Sequence, residues 1–403
     1  MRSLLSSFLS VFFALLFLAC GTPSSEAPVA VMVLVPVEKA NGRHVFEPQK
    51  KQLTTLSDIS KLEGSVSTFI GGARMDENSP KIDTATSLEE LKQAYFPKKG
   101  GSVRAQFIEK NGVLWPADFH SWAMTTAYWN LEQAFFYFQE VYGAKDTKEL
   151  LNIPTYYWLD HIPEDEKESS KDNAFYHNFR LMAVLPFKDF QTIPMSINIG
   201  VMAHEYAHFV FDTRVHRADP SSPSHSRSDP HVVGTPRFIM DAINEGLADF
   251  HAYGVTRRIG QGNPNFLAWT LDEKEAKKRD FTDRSKCGAA LEHVNIYTVG
   301  TLFAASFYQA AMERNMFDEM AQYLVNAYDS DVLGKPGIRQ HYIHNNAHPQ
   351  NITLESVANV FLAHIDDEEL RVRTCNQMLD RLEFNREALT NCPVRSVRNR
   401  ECQ

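Results

Sequence analysis

Several scarcities narrow the field before any motif is read. Basic residues are in deficit, with 41 Lys and Arg against 50 Asp and Glu and a net charge of −9. No long basic patch reverses that balance, so a nucleic-acid partner is not expected. Internal repeats are lacking, which excludes a stacked array. Cysteine is sparse, five in 403 residues, so cross-links cannot be the main support of the fold. That task falls to a core: 43% hydrophobic and 23% charged residues describe an ordinary globular protein, long enough for two lobes.

Apolar length is also short at the start of the chain. Arg2 precedes an apolar run from Leu4 to Ala19, too brief for a comfortable membrane span and shaped like a signal peptide (1–19). Ala19-Cys20-Gly21 resembles a bacterial lipoprotein cleavage site, which implies Cys20 as a lipidated N-terminus and a membrane contact through that lipid. Phe17 and Leu18 depart from the commonest pair at such sites, so plain secretion stays open as the alternative. Cys20 and the Pro/Ser-rich residues 21–28 read as a tether. Without Cys20, the cysteines are Cys287, Cys375, Cys392 and Cys402, an even set suited to an oxidising compartment. Three pairings are possible; one bridge within the last three and one to Cys287 is the expectation.

The segment His204-Glu205-Tyr206-Ala207-His208 is a HExxH motif within an apolar, helix-forming run. Residues four apart fall one turn apart on one helix face, so both imidazoles can reach one metal ion. Glu205 lies beside them, placed to take a proton from water. Zinc suits this nitrogen-rich pair, and a catalytic site needs one more protein ligand and an open position.

Downstream, Thr235-Pro236 reads as an N-cap and first helical residue. On that helix Asp241, Glu245 and Asp249 are spaced by four and line one stripe, while Phe238, Ile239, Ile243, Leu247 and Phe250 send much of the helix into the core. Carboxylates beside such a surface need partners, and a metal with its histidines would supply them. Glu245 is therefore assigned as third zinc ligand. Asp249 is assigned as the carboxylate that fixes the tautomer of a ligand imidazole. Asp241 reads as a solvated helix carboxylate.

These residues resemble the thermolysin-like branch of zinc metallopeptidases, the gluzincins, whose HExxH helix is followed by a second helix bearing Asn-Glu-x-x-x-Asp. Here that element is Asn244-Glu245-Gly246-Leu247-Ala248-Asp249. The interval departs from the family: 36 residues, 209 to 244, against about twenty. The surplus is a Ser/Pro-rich stretch, 213–235, whose His216, His225 and His231 read as solvated loop residues. Asn173-Ala174-Phe175-Tyr176 resembles the family's edge-strand segment, implying that Asn173 and the backbone at Ala174 hold an extended substrate. His293-Val294-Asn295 resembles the family segment whose histidine stabilises the transition state, and Tyr297 competes with His293 for that role. Rival zinc classes fail on the same residues. A metzincin needs glycine and a ligand where Phe211 and Arg214 stand, an aspzincin needs aspartate where Arg237 stands, and the Gly-x-Met-Glu-Asn of large aminopeptidases is missing. The likeness covers about residues 120 to 315.

The expectation is an α+β gluzincin metallopeptidase fold: a mixed N-terminal lobe (29–112), a catalytic lobe with a small sheet over the HExxH helix (113–256), and a helical C-terminal lobe (257–403). Strands are expected at Pro154–Leu159 and Phe179–Leu185, and near Val103 and Ala105. Helices are expected at Trp122–Tyr142, Tyr297–Met312, Met316–Ala327, Leu354–His364 and Asn376–Leu389. The activity implied is zinc-dependent hydrolysis of a peptide or protein substrate by an exported protein of the cell envelope. The competing assignment is a surface lipoprotein that keeps the scaffold only to bind a partner.

Overall fold

The computed structural model describes residues 28–39, 44–143, 147–188, 193–216, 235–264, 279–283, 295–329, 334–345 and 351–397. The leader, Cys20, His225, His231, Cys287, His293 and Cys402 lie outside the described residues.

Strand β1 (Val29–Glu38) pairs along all ten residues with β2 (His44–Leu53). Val31, Val33 and Val35 are buried at the period of two that a strand with one inward face imposes. Short strands β3 (Leu56–Asp58), β4 (Glu63–Gly64), β5 (Ser67–Gly71) and β6 (Arg74–Asp76) follow. Helix α1 (Leu88–Tyr95) starts where Ser87 accepts a hydrogen bond from the Glu90 N–H, and the Glu90 carboxylate reaches back to the Thr86 N–H. After β7 (Gly101–Ser102), Val103 and Ala105 are buried but belong to an irregular link rather than the strand expected there. The hairpin of β8 (Phe107–Lys110) and β9 (Val113–Pro116) completes a four-stranded sheet, β2-β1-β9-β8.

Helix α2 (Phe119–Tyr142) begins ahead of Trp122 because the Asp118 carboxylate accepts from the Ser121 N–H at 2.9 Å. Tyr128, Trp129, Phe135, Tyr137 and Phe138 are buried, as their helical spacing requires. Strands β10 (Ile153–Tyr157), β11 (Asp160–Ile162), β12 (Ala174–His177) and β13 (Leu181–Val184) come next. Among the described residues a seven-stranded sheet runs β12-β13-β10-β5-β4-β3, with β7 against β5. The small sheet expected from 154–185 is thus enlarged by strands from before residue 112, with β5 and β10 parallel over five residue pairs. Strands of two to five residues carry too little periodicity to announce themselves.

Helix α3 (Ile199–Phe211) is buried throughout and lies against β12 and β13. It continues as a π-helical turn over Asp212–His216. His216 is accordingly not a solvated loop residue; it packs between the Phe211 and Tyr342 rings. The rest is helical: α4 (Pro236–Arg258), α5 (Ile296–Arg314), α6 (Phe317–Asp329), α7 (Ile338–Asn345), α8 (Leu354–His364) and α9 (Glu368–Arg381). The last differs from the expected Asn376–Leu389. Asp367 starts it by accepting from the Leu370 N–H at 2.7 Å, and Glu383 with φ of 51° lies beyond its end. Cys375 bridges to Cys392, within the cysteine-rich tail as expected. None of the described helices is long and apolar enough to cross a membrane. The architecture is α+β, with the sheet over the HExxH helix and helices behind it, around a core that reaches from Val31 to Cys392.

Candidate metal centre

Two helices supply the centre, and each is fixed at its start by a cap. Asn198 accepts from the Gly200 N–H at 2.8 Å to begin α3, and Thr235 accepts from the Phe238 N–H at 3.2 Å with Pro236 at the first position of α4. α4 is held to α5 by a glycine contact. A Cβ on Gly246 would meet the Gly300 carbonyl oxygen at 2.0 Å, and one on Gly300 would meet the Ala242 oxygen at 2.2 Å. That close crossing lies next to Glu245 and brings the first turn of α5, with Tyr297, toward the same place.

His204 and His208 aim their Nε2 atoms at each other, 2.9 Å apart. The Glu245 carboxylate stands 3.3 Å from the first and 3.6 Å from the second. One ligand atom from each of the three lies within 4.8 Å of the others. The opposite ring nitrogens are held from behind: His204 Nδ1 faces Asp249 Oδ1 at 3.0 Å, and His208 Nδ1 faces Asn244 Oδ1 at 3.0 Å. When both rings are neutral with the proton on Nδ1, as metal ligation requires, both Nε2 lone pairs face the common point. Two imidazole nitrogens and a carboxylate oxygen are a donor set that fits zinc.

The surroundings treat the two imidazoles differently. Burial works against charge on His204 and Arg279 adds to it, yet Asp249, Glu245 and Glu205 outweigh both and raise it to about 9. His208 is governed by burial and falls to about 4. Burial also lifts Glu205, which His204 opposes and Glu245 reinforces, to about 7. Its Oε2 accepts from the Tyr176 N–H of β12 at 2.7 Å. Glu245 is held well below the usual carboxylate range: burial would raise it, but His208, His204 and Arg279 overcome that.

Arg279 is a residue that no motif announced. Its Nε and Nη2 donate to Asp249 at 3.0 and 2.6 Å, Nη2 also donates to Glu245 at 2.9 Å, and the guanidinium stacks 4.7 Å from the Tyr297 ring. The signal for it is indirect, since a buried carboxylate stripe demands a cation. Asn244 stood in the motif without a role; one position before Glu245, it turns toward the other histidine.

The remaining candidates fall unevenly. Tyr297 is brought to the centre, 39% exposed, and the Glu245 charge first, then burial, raise its phenol to about 12, so it stays an O–H donor. His293 lies outside the described residues. Asn173 turns its Oδ1 to the Ala174 N–H at 2.9 Å, while Ala174 pairs with Val184 on the outermost strand of the sheet. Asp241 is half-buried rather than solvated, lies 3.5 Å from Arg237, and is raised by burial to about 6; it is not among the converging ligand atoms.

Fold and side chains together define an α+β protein with a His/His/Glu ligand set on two adjoining helices. No family model matches the sequence, and no curated protein matches it. Solved structures do. One is the precursor of protealysin, a metalloproteinase from Serratia proteamaculans, with 14% identity and a TM-score of 0.46 over 81% of this chain and 88% of that one. A likeness so distant carries no weight for activity, which has to be argued from the residues.

Proposed function

We propose that this protein is a zinc-dependent peptidase of the gluzincin type, exported and lipid-anchored through Cys20. One observation carries the proposal: a buried carboxylate outside the ligand set, Glu205, sits beside three converging ligands and is oriented by a backbone N–H from the neighbouring strand. A purely metal-stabilised scaffold has no use for that carboxylate.

His204, His208 and Glu245 would hold the ion, which when bound supplies Lewis-acid polarisation of the scissile carbonyl and of water. Tyr176 N–H fixes Glu205 Oε2, so Oε1 takes the proton from the attacking water and returns it to the departing amine nitrogen. Burial lifts Glu205 above the ordinary carboxylate range, the direction that suits a group that must both accept and release a proton. Tyr297 offers its O–H to the developing oxyanion, with His293 the alternative. Asp249 and Asn244 hold the two imidazoles in the tautomer that presents Nε2. An extended substrate adds to the outer edge of β12, with Asn173 and the backbone at Ala174 as its anchor.

The test is digestion of casein by the purified full chain. Chelator should abolish hydrolysis and added zinc restore it. Glu205→Gln should keep one zinc per chain while losing about 10²- to 10⁴-fold in turnover, and Glu245→Ala should lose the zinc itself. Undiminished turnover in Glu205→Gln would remove the proposal.

A further inference from the structure

Tyr176 touches the HExxH helix and its continuation at two points. Its backbone N–H donates to Glu205 Oε2, and its phenol O–H donates to Asp212 Oδ2, each at 2.7 Å. Glu205 and Asp212 are seven residues apart, two turns along one helix face. Asp212 opens the π-helical turn directly after α3 and is only 3% exposed. A single strand residue therefore spans that face, its main chain at one end and its ring at the other. A neutral phenol on a buried carboxylate makes a charge-assisted bond, stronger than one between neutral groups. Burial and the Asp212 charge both keep the phenol protonated.

What the span does follows from the weakness of the strand that carries it. β12 has four residues, lies at the end of the sheet and pairs with β13 on one side. A strand of four residues paired on one side has few ladder hydrogen bonds to hold it in place. A shift of about 1 Å at residue 176 would carry the N–H out of hydrogen-bond range of Glu205 Oε2, and a buried carboxylate without its donor turns elsewhere.

We infer that Tyr176 and Asp212 are positioning residues, whose side-chain hydrogen bond pins the outer strand so that the Tyr176 N–H holds Glu205 in line for proton transfer. The kinetic half of this rests on the peptidase function proposed above; the pin does not. The full chain is compared with Tyr176→Phe, Asp212→Leu, Asp212→Asn and the double variant Tyr176→Phe/Asp212→Leu. Amide exchange over residues 174–177 reads the pin without any substrate. It should quicken about tenfold in Tyr176→Phe and Asp212→Leu, as the loss of one buried hydrogen bond implies. Asp212→Asn should stay near wild type, because an amide oxygen still accepts from the phenol. In peptide hydrolysis kcat should fall about tenfold in the same two variants with KM within about twofold, and the double variant should be no worse than the worse single one. Unchanged exchange, a raised KM with intact kcat, or additive losses would each overturn the inference. If the wild-type chain shows no chelator-sensitive hydrolysis, the peptidase function falls, and exchange alone still decides the pin.

Discussion

His251 shows what burial does to a single ring. It sits six positions past Glu245 on α4, fully enclosed, with Nδ1 and Nε2 each 3.0 Å from a phenol, of Tyr137 and Tyr328 respectively. As a neutral imidazole it donates through one nitrogen and accepts through the other; burial lowers its pKa from 6.5 to about 3. The unfolded chain then binds more protons than the folded one, so stability rises with pH. The contribution of His251 is complete above pH 6.5, shrinks as pH falls, and is gone near pH 3. Between pH 6.5 and 5 the wild type should lose about 2 kcal/mol more than His251→Gln, as 1.4 kcal/mol per unit requires. Urea unfolding at the two pH values checks this; equal losses would contradict it. At this scale the ligands were legible in sequence because helices convert spacing into geometry: His204, His208, Glu245 and Asp249 follow intervals of four. Arg279 and Tyr176 were not, since their contacts cross 30 and 29 residues with no period to betray them.

Between elements, the crossing of α4 and α5 at Gly246 and Gly300 sets how closely the two helices approach. Gly246→Ala puts a methyl group against backbone, which cannot swing aside as a side chain would. The helices must separate at the turn that carries Glu245. A loss of about 1–3 kcal/mol is expected, together with weaker zinc retention; thermal unfolding and metal titration of the variant measure both. Gly300→Ala should behave alike in stability. An unaltered melting temperature in both would mean that the close approach is not required. Helix existence was legible from sequence wherever apolar spacing ran for several turns, as in α2, α5 and α8. α9 was misplaced because its start is set by the Asp367 cap, and its charged sequence Glu368–Arg373 shows little apolar period. The short strands elude the sequence because each is too brief for alternation to register, and β5 gains its main partner, β10, only far along the chain.

Across the whole molecule, Cys375–Cys392 closes a loop between α9 and the segment behind it, 17 positions apart in sequence. Replacing both by alanine should lower the unfolding free energy by about 3 kcal/mol, the chain-entropy value for a loop of that size. Denaturant unfolding measures the loss, and an unchanged midpoint would show that packing of the tail suffices. A different consequence follows from β5, which lies inside the seven-stranded sheet with β10 on one side and β4 on the other. A proteolytic nick in the turn region around 78–86 would yield two pieces still zipped together along a shared ladder, with the front piece keeping its grip on the rear. Shedding any forward segment that includes β5 would therefore mean unweaving a strand from the middle of the cloth.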